Sequence, residues 1–325
     1  MKTALVVAAA SMLALTAQAI GAAGYTFITI DPPSPFLTAS ASGINEAGVI
    51  AGEWTDLGNI THGFIERGGV FVSFDAPGTD NGRVLGVAGT QALGINNAGI
   101  IVGDYTAGGT THGFIRDTSG QFTTLDLPGQ VDTALVGIND NGVVAIQVDY
   151  GSAAQYGSFL RAPNGTLTSI AFPGTLATGI TALNNAGSTA GGYLDAASVV
   201  HGWIRNASGV YTTLYDPAYD LVGPWGLNDA GFAVGELDFA GGSHGFVRDP
   251  QGNLAAFDVP GAAFTIAADI DSLGHIVGEY CGAHGDCHGF LATPSVPEPG
   301  RLALLLAGLG VVGVRARRAG RDRST

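Results

Sequence analysis

The chain has 325 residues, 52 of them glycine, with only 12% charged residues and a formal net charge of −14. So many glycines without a collagen period imply many tight turns, and the regular Val, Ile, Phe and Tyr between them argue against low complexity. Lys2 is the only lysine, and Arg301, Arg315, Arg317, Arg318, Arg321 and Arg323 crowd the end, so the middle is strongly acidic; nucleic acid is excluded as a partner because neutralising phosphates needs a basic surface.

Met1-Lys2, an apolar run through Leu15 and the small-x-small step Ala17-Gln18-Ala19 form the three parts of a secretory signal peptide. The predicted leader spans 1–19, with signal peptidase cutting after Ala19. The apolar run is short for a membrane span.

From residue 24 to 294 the chain is predicted to be a repeat ectodomain. One unit runs Leu93-Gly94-Ile95-Asn96-Asn97-Ala98-Gly99-Ile100-Ile101-Val102-Gly103-Asp104-Tyr105, then Thr111-His112-Gly113-Phe114-Ile115-Arg116, then Phe122-Thr123-Thr124-Leu125-Asp126-Leu127-Pro128-Gly129. The Asn anchor recurs at Asn45, Asn96, Asn139, Asn184 and Asn228, with Asp271 in the last copy, at spacings of 43 to 51 residues. That is the range of four-stranded propeller blades. Strand a ends at Gly-Ile-Asn, and Asn-x-Ala-Gly is a tight turn in which Asn tolerates the left-handed region and Gly takes positive φ. Strand b is Ile-x-Gly-x-Tyr, strand c His-Gly-Phe-Ile-Arg and strand d Phe-Thr-Thr-Leu-Asp.

The last copy stops at Phe290-Leu291 without a strand d, while Tyr25-Thr26-Phe27-Ile28-Thr29-Ile30-Asp31-Pro32 is a strand d without a unit. The expected fold is therefore all-β, a six-bladed β-propeller whose ring the N-terminal strand closes, which removes an open sheet edge. Its units span about 36–78, 79–129, 130–174, 175–218, 219–261 and 262–294 plus 24–32. An open β-solenoid is the alternative.

No catalytic residue is assigned: H-E-x-x-H and phosphate-loop motifs are absent from the sequence, and the one G-x-S-x-G match, Gly241-Gly242-Ser243-His244-Gly245, falls on the repeated His-Gly-Phe strand and not on a strand-to-helix elbow. The histidines His62, His112, His201, His244 and His288 recur at the same place in five of the six units, the third having Tyr156 there, too far apart around a ring for zinc; the expectation is a strand histidine bonded to the neighbouring blade. His284, Asp286 and His288 form the one local cluster, a weak metal candidate. Asp31, Asp75, Asp126, Asp216 and Asp258 recur before turns and are expected to accept local backbone hydrogen bonds. A calcium rim is possible chemistry for them, yet no consecutive calcium loop supplies the oxygens, so no cofactor is assigned. Cys281 and Cys287 flank a short hairpin loop and are expected to form a disulfide in an oxidising compartment. Trp54 and Trp203 sit at core positions of the repeat, whereas Trp225 follows Pro224 near a blade top and is a weak candidate for stacking on a sugar.

The chain closes with Val296-Pro297-Glu298-Pro299-Gly300, an apolar stretch over 302–314 and Arg315-Ala316-Arg317-Arg318. A short helix there would anchor transiently in a bilayer with its arginines in the cytoplasm. This tail, over 296–325, resembles the PEP-CTERM sorting signal of Gram-negative bacteria in all three parts. The resemblance implies an exosortase partner, cleavage near Val296, Pro297, Glu298 and Pro299, and passage from the inner membrane to the outer surface or medium. In that family, sorting accompanies exopolysaccharide and biofilm production. The ectodomain resembles HAF-type extracellular repeats, whose His-Ala-Phe step here reads His-Gly-Phe. Together these imply an exported surface or matrix protein that binds or scaffolds exopolysaccharide. The alternatives are a secreted glycan-acting enzyme and a calcium-dependent adhesion module.

Overall fold

The computed structural model describes residues 24–80, 89–149, 156–175, 177–239 and 242–295. The leader with Ala17 and Ala19, and the tail with Val296, Pro297, Glu298, Pro299 and the 302–314 apolar stretch, lie outside the described residues. Within them there is no helix, only strand and turn.

The N-terminal strand is β1 (Tyr25–Ile30). Unit 1 follows with β2 (Phe36–Ile44), β3 (Ile50–Asp56), β4 (Thr61–Arg67) and β5 (Val70–Phe74). Unit 2 has β6 (Thr90–Ile95), β7 (Ile101–Ala107), β8 (Thr110–Arg116) and β9 (Phe122–Thr124). Unit 3 has β10 (Asp132–Ile138), β11 (Val144–Asp149), β12 (Tyr156–Arg161) and β13 (Leu167–Ile170). Unit 4 has β14 (Thr178–Leu183), β15 (Thr189–Leu194), β16 (Val200–Arg205) and β17 (Tyr211–Leu214). Unit 5 has β18 (Leu221–Leu227), β19 (Ala233–Phe239), β20 (Gly242–Arg248) and β21 (Leu254–Phe257). Unit 6 has β22 (Phe264–Ile270), β23 (Ile276–Cys281) and β24 (Cys287–Pro294).

The molecule is an all-β propeller. Units 2 to 5 are four separate four-stranded sheets, not the six expected. The remaining eight strands form one sheet, because a single parallel pairing of Thr38 with Cys287 joins β2 to β24. β1 lies antiparallel on β24, from Tyr25 opposite Pro294 to Ile30 opposite Gly289, so the N-terminal segment supplies the fourth strand of unit 6.

Each interior layer is built between successive units. Phe64, Phe114, Trp203, Phe246 and Phe290 on the c strands are fully buried, each contributing about 1.5–3 kcal/mol of apolar burial. Their rings dictate the strand-b glycine: a Cβ at Gly52 would collide with the Ser40 carbonyl and the Phe64 ring, and one at Gly278 with the Ile266 carbonyl and Phe290. The cluster of Ile30, Ala41, Ile44, Ile50, Phe64 and Val277 spans unit 6, β1 and unit 1, so the end of the chain packs on its beginning.

The Asn turn works differently from the expectation. None of the anchor asparagines adopts positive φ, whereas the glycine three residues on does, as at Gly99 with φ 81°. The Asn side chain forms the turn instead: Asn139 Oδ1 accepts from the Asn141 and Val143 amides at 3.1 and 3.0 Å.

Candidate functional site: the central cavity

Two rings of side chains mark the axis. In the first, the buried anchor amides reach from one unit to the next. Nδ2 of Asn45, Asn96, Asn139, Asn184 and Asn228 donates to the carbonyl of Asn96, Asn139, Asn184, Asn228 and Asp271 in turn, at 3.0 to 3.3 Å. The next residue makes an outer ring: Glu46, Asn97 and Asp140 amides donate to Asn97, Asp140 and Asn185 side-chain oxygens.

The closing junction departs from this scheme, since the Asp271 side chain has no amide N–H to donate. Here Ser272 donates from both its amide and its hydroxyl to the Glu46 carboxylate. Asp269 occupies the position that is Gly43, Gly94, Gly137 and Gly226 in other units, and accepts from the Ile44 amide at 3.0 Å and the Ile270 amide at 2.9 Å. Desolvation pushes the Asp269 carboxyl up to about 7 against those two hydrogen bonds.

The same anchor residues line a cavity of about 430 Å³ walled by all six units. Every a strand carries a β-bulge, between Ala41 and Gly43, Ala92 and Gly94, Leu135 and Gly137, Ile180 and Ala182, Pro224 and Gly226, and Ala267 and Asp269. The extra residue of each bulge, Ser42, Leu93, Val136, Thr181, Trp225 or Ala268, lines the cavity. A bulge re-aims the side chain it adds, and here it does so once per unit.

The strand-b residue after the packing glycine adds an acidic arc. This column reads Glu53, Asp104, Gln147, Gly192, Glu236 and Glu279 through the six units. Glu53, Gln147 and Glu279 line the cavity. Glu53 is half-buried by surface but lies deep in the channel, and desolvation pushes its carboxyl up to about 8, helped by the nearby charges of Glu279 and Asp104 and opposed by the Ser42 hydroxyl at 2.8 Å. Burial likewise pushes Asp104 up to about 7 and raises Glu279. Burial also raises Glu236, although the Trp225 side chain donates a hydrogen bond to it. The sequence expectation of a stacking role at Trp225 thus falls on a cavity wall, with the residue 43% exposed. The acidic column was missed because each member was read as part of a strand, although stacking the six repeats would have shown it.

The other sequence candidates have structural partners. His62, His112, His244 and His288 pair through Nδ1 with Asp75, Asp126, Asp258 and Asp31 at 2.8 to 3.0 Å. Each acid lies just past strand d of the same unit, which corrects the expected bond to a neighbouring blade and gives these aspartates a side-chain partner in place of a turn amide. His201 instead pairs with Asp195 at 2.9 Å, and Asp216 accepts the Ala218 amide. Each of the five imidazoles also lies against an aromatic ring of strand b, such as Trp54 on His62 at 4.7 Å. Burial pulls the His288 imidazole down, but Asp31 and Asp286 outweigh it and its pKa is raised. Asp286 lies 3.5 Å from His288 Nε2.

Among the described residues, only Glu279, Cys281 and Cys287 bring three ligand-type atoms together. Cys281 and Cys287 face each other in the β23–β24 register with Cα atoms 4.1 Å apart and are disulfide-bonded, so that group offers no thiolate. His284, Asp286 and His288 do not form such a group among the described residues.

No protein-family model matches the chain, and no curated protein does. Among solved structures it is similar to a gluconolactonase from Xanthomonas campestris, at 15% identity and a TM-score of 0.52, covering 87% of this chain and 94% of that one. It is also similar to the Aleuria aurantia lectin, described as a six-bladed β-propeller with a fucose recognition mode, at 13% identity and a TM-score of 0.49, covering 82% and 100%. A streptogramin B lyase aligns at 12% identity and a TM-score of 0.46, covering 83% and 98%. At these identities the likeness to the gluconolactonase speaks for the propeller fold alone.

Proposed function

We propose that this is an exported, exosortase-sorted surface or matrix protein that binds exopolysaccharide without turning it over, and that the central cavity is its glycan site. In this reading the two halves of the eight-stranded sheet act as separate blades, so the ring has six. The carrying observation is the cavity of about 430 Å³, within the range of small-ligand sites, with Trp225, Gln147 and Thr181 in its wall. An aromatic face for the apolar side of a sugar ring, with amide and hydroxyl groups beside it, is chemistry suited to a glycan. The tail resemblance supports delivery to the surface, and the leader supports export.

Two measurements test the reading. Intact mass and fractionation of the native protein, with and without Val296–Pro299, should show loss of the C-terminal mass and surface release only when the motif is present. Retention of extracted exopolysaccharide on immobilised protein should fall at least about tenfold in Trp225→Ala. An uncut tail would end the sorting proposal, and unchanged retention would end the cavity proposal.

A second reading is a glycan-acting enzyme. The observation favouring it is the pair of cavity carboxylates, Glu53 and Glu279, of which Glu53 is pushed up to about 8 by desolvation; a general acid and a second carboxylate are what glycoside hydrolysis requires. Release of reducing ends from the same polymer, lost in Glu53→Gln, would favour it over binding.

A further inference from the structure

The cavity is not uniform around its axis. Trp225 of β18, Glu279 of β23 and Glu53 of β3 come from three successive units and make one wall. Leu93 and Val136, from units 2 and 3, make an aliphatic wall, with Gln147 beside them. One side therefore offers carboxylates and an indole, and the other offers hydrocarbon.

The carboxylates are incompletely satisfied. Oε2 of Glu53 accepts from Ser42, while no hydrogen bond reaches its Oε1 among the described residues. The hydrogen-bond-range contact of Glu279 among the described residues is the Cys281 sulfur at 3.6 Å, and a disulfide sulfur has no proton to donate. Enclosed carboxylates that are not paired are costly, and each needs a donor or a counter-charge. Glu53 and Glu279 are close enough to repel each other, and their charges are held back by desolvation. The arginines of the described chain do not line this cavity.

Resting on the glycan-binding reading above, we infer that the cavity selects an amine-bearing sugar, a 2-amino-2-deoxyhexose unit with a free ammonium, whose N–H groups face Glu53 and Glu279 while its ring lies on Trp225. An ammonium has three donors and no acceptor, so one group satisfies open oxygens on both acids and neutralises their repulsion. An N-acetylated sugar presents one amide N–H and no charge, and a uronic acid adds a third carboxylate to the same wall. The indole gives the sugar's carbon face its apolar contact, and an aromatic ring also attracts a cation.

The test is calorimetric titration of the full chain at pH 6 with the β-1,4-linked glucosamine disaccharide, its di-N-acetyl counterpart and cellobiose. The amine disaccharide should bind about tenfold or more tighter than the other two, the range of a charge-assisted hydrogen bond. Glu279→Gln and, independently, Glu53→Gln should erase that preference, whereas Trp225→Ala should weaken all three. Removing a buried charge is not expected to impair folding, and two variants guard against either failing. Equal affinity for the three sugars would overturn amine selection while leaving the glycan reading intact. A preference that survives both glutamine variants, and vanishes at high salt, would assign it to the general acidity of the protein and overturn the inference. No binding of any sugar, with Trp225→Ala indistinguishable from the parent, would remove the glycan reading itself.

Discussion

Five junctions between units are joined by the same neutral contact, and the sixth is joined by acids. At the first five, a buried asparagine builds its own turn with Oδ1 and spans to the next unit with Nδ2, as Asn139 does. At the sixth, Asp271 keeps the turn role, accepting from the Leu273 and His275 amides, but cannot span. Asp269, the Glu46–Ser272 pair, the Thr38–Cys287 pairing and the whole of β1 do the spanning instead. A repeat can reuse one contact wherever the chain is continuous. Where its two ends meet, the chain crosses only through β1, which is itself held to β24 by hydrogen bonds, and the junction carries more contacts, several of them charged.

The largest effect is expected from removing the strand that only the closing junction has. Deleting residues 24–32 exposes Phe290 and Phe257, both buried, and leaves His288 without Asp31. The expected result is loss of a cooperative thermal transition by circular dichroism. If the shortened chain melts cooperatively near the parent temperature, the ring does not depend on β1.

Next come the amide junctions. Asn139→Ala removes one buried donor and the acceptor of two turn amides, one exposed and one half-buried, and should cost about 1–3 kcal/mol by urea denaturation. Asp271→Asn is the sharper test: it restores the missing donor toward unit 1 while losing the pair with His275 at 2.6 Å, and should stay within about 1 kcal/mol of the parent. A large loss there would mean that the charge, and not the geometry, is what unit 6 requires.

The acids predict a pH trend. Glu53 at about 8, and Asp104 and Asp269 at about 7, are all raised on folding. Between about pH 4 and 8 the unfolded chain has released protons that the folded protein still holds, so stability falls as pH rises through that window. The melting temperature should therefore be higher at pH 5 than at pH 8. Glu53→Gln should flatten the trend and add on the order of 2 kcal/mol at pH 8. Exposed turn aspartates such as Asp117 and Asp249, held low by local hydrogen bonds, act oppositely and only at the acid end.

The smallest effect is expected at Cys281–Cys287. The bridge closes a short hairpin within one sheet, so reduction should lower stability by no more than about 2 kcal/mol. A larger loss would make it part of the closing junction it lies beside.

Much of this architecture could be read before folding because it rests on local chemistry. The b-strand glycines, the His-Gly-aromatic step and the orphan strand at Tyr25 each leave a mark in one copy of the repeat that the others reproduce. The cavity left a fainter mark. Trp225 stood out as a break in the pattern, but Glu53 and Glu279 did not, because an acid on a half-exposed strand ordinarily faces water. Only closure of the ring brings Glu53 and Glu279, from units distant in sequence, to one cavity.

By itself the sequence determined the repeat, its strands, the turn glycines and which segment completes the last unit, since these depend on side-chain size and backbone freedom within a few residues. Tertiary structure alone decided that the anchor asparagines span between units, that the histidines pair with aspartates of their own unit, and that the first and last units share one sheet. It also decided that three or more acids converge on a cavity, because hydrogen bonding and desolvation depend on groups that the chain brings together only when the ring closes.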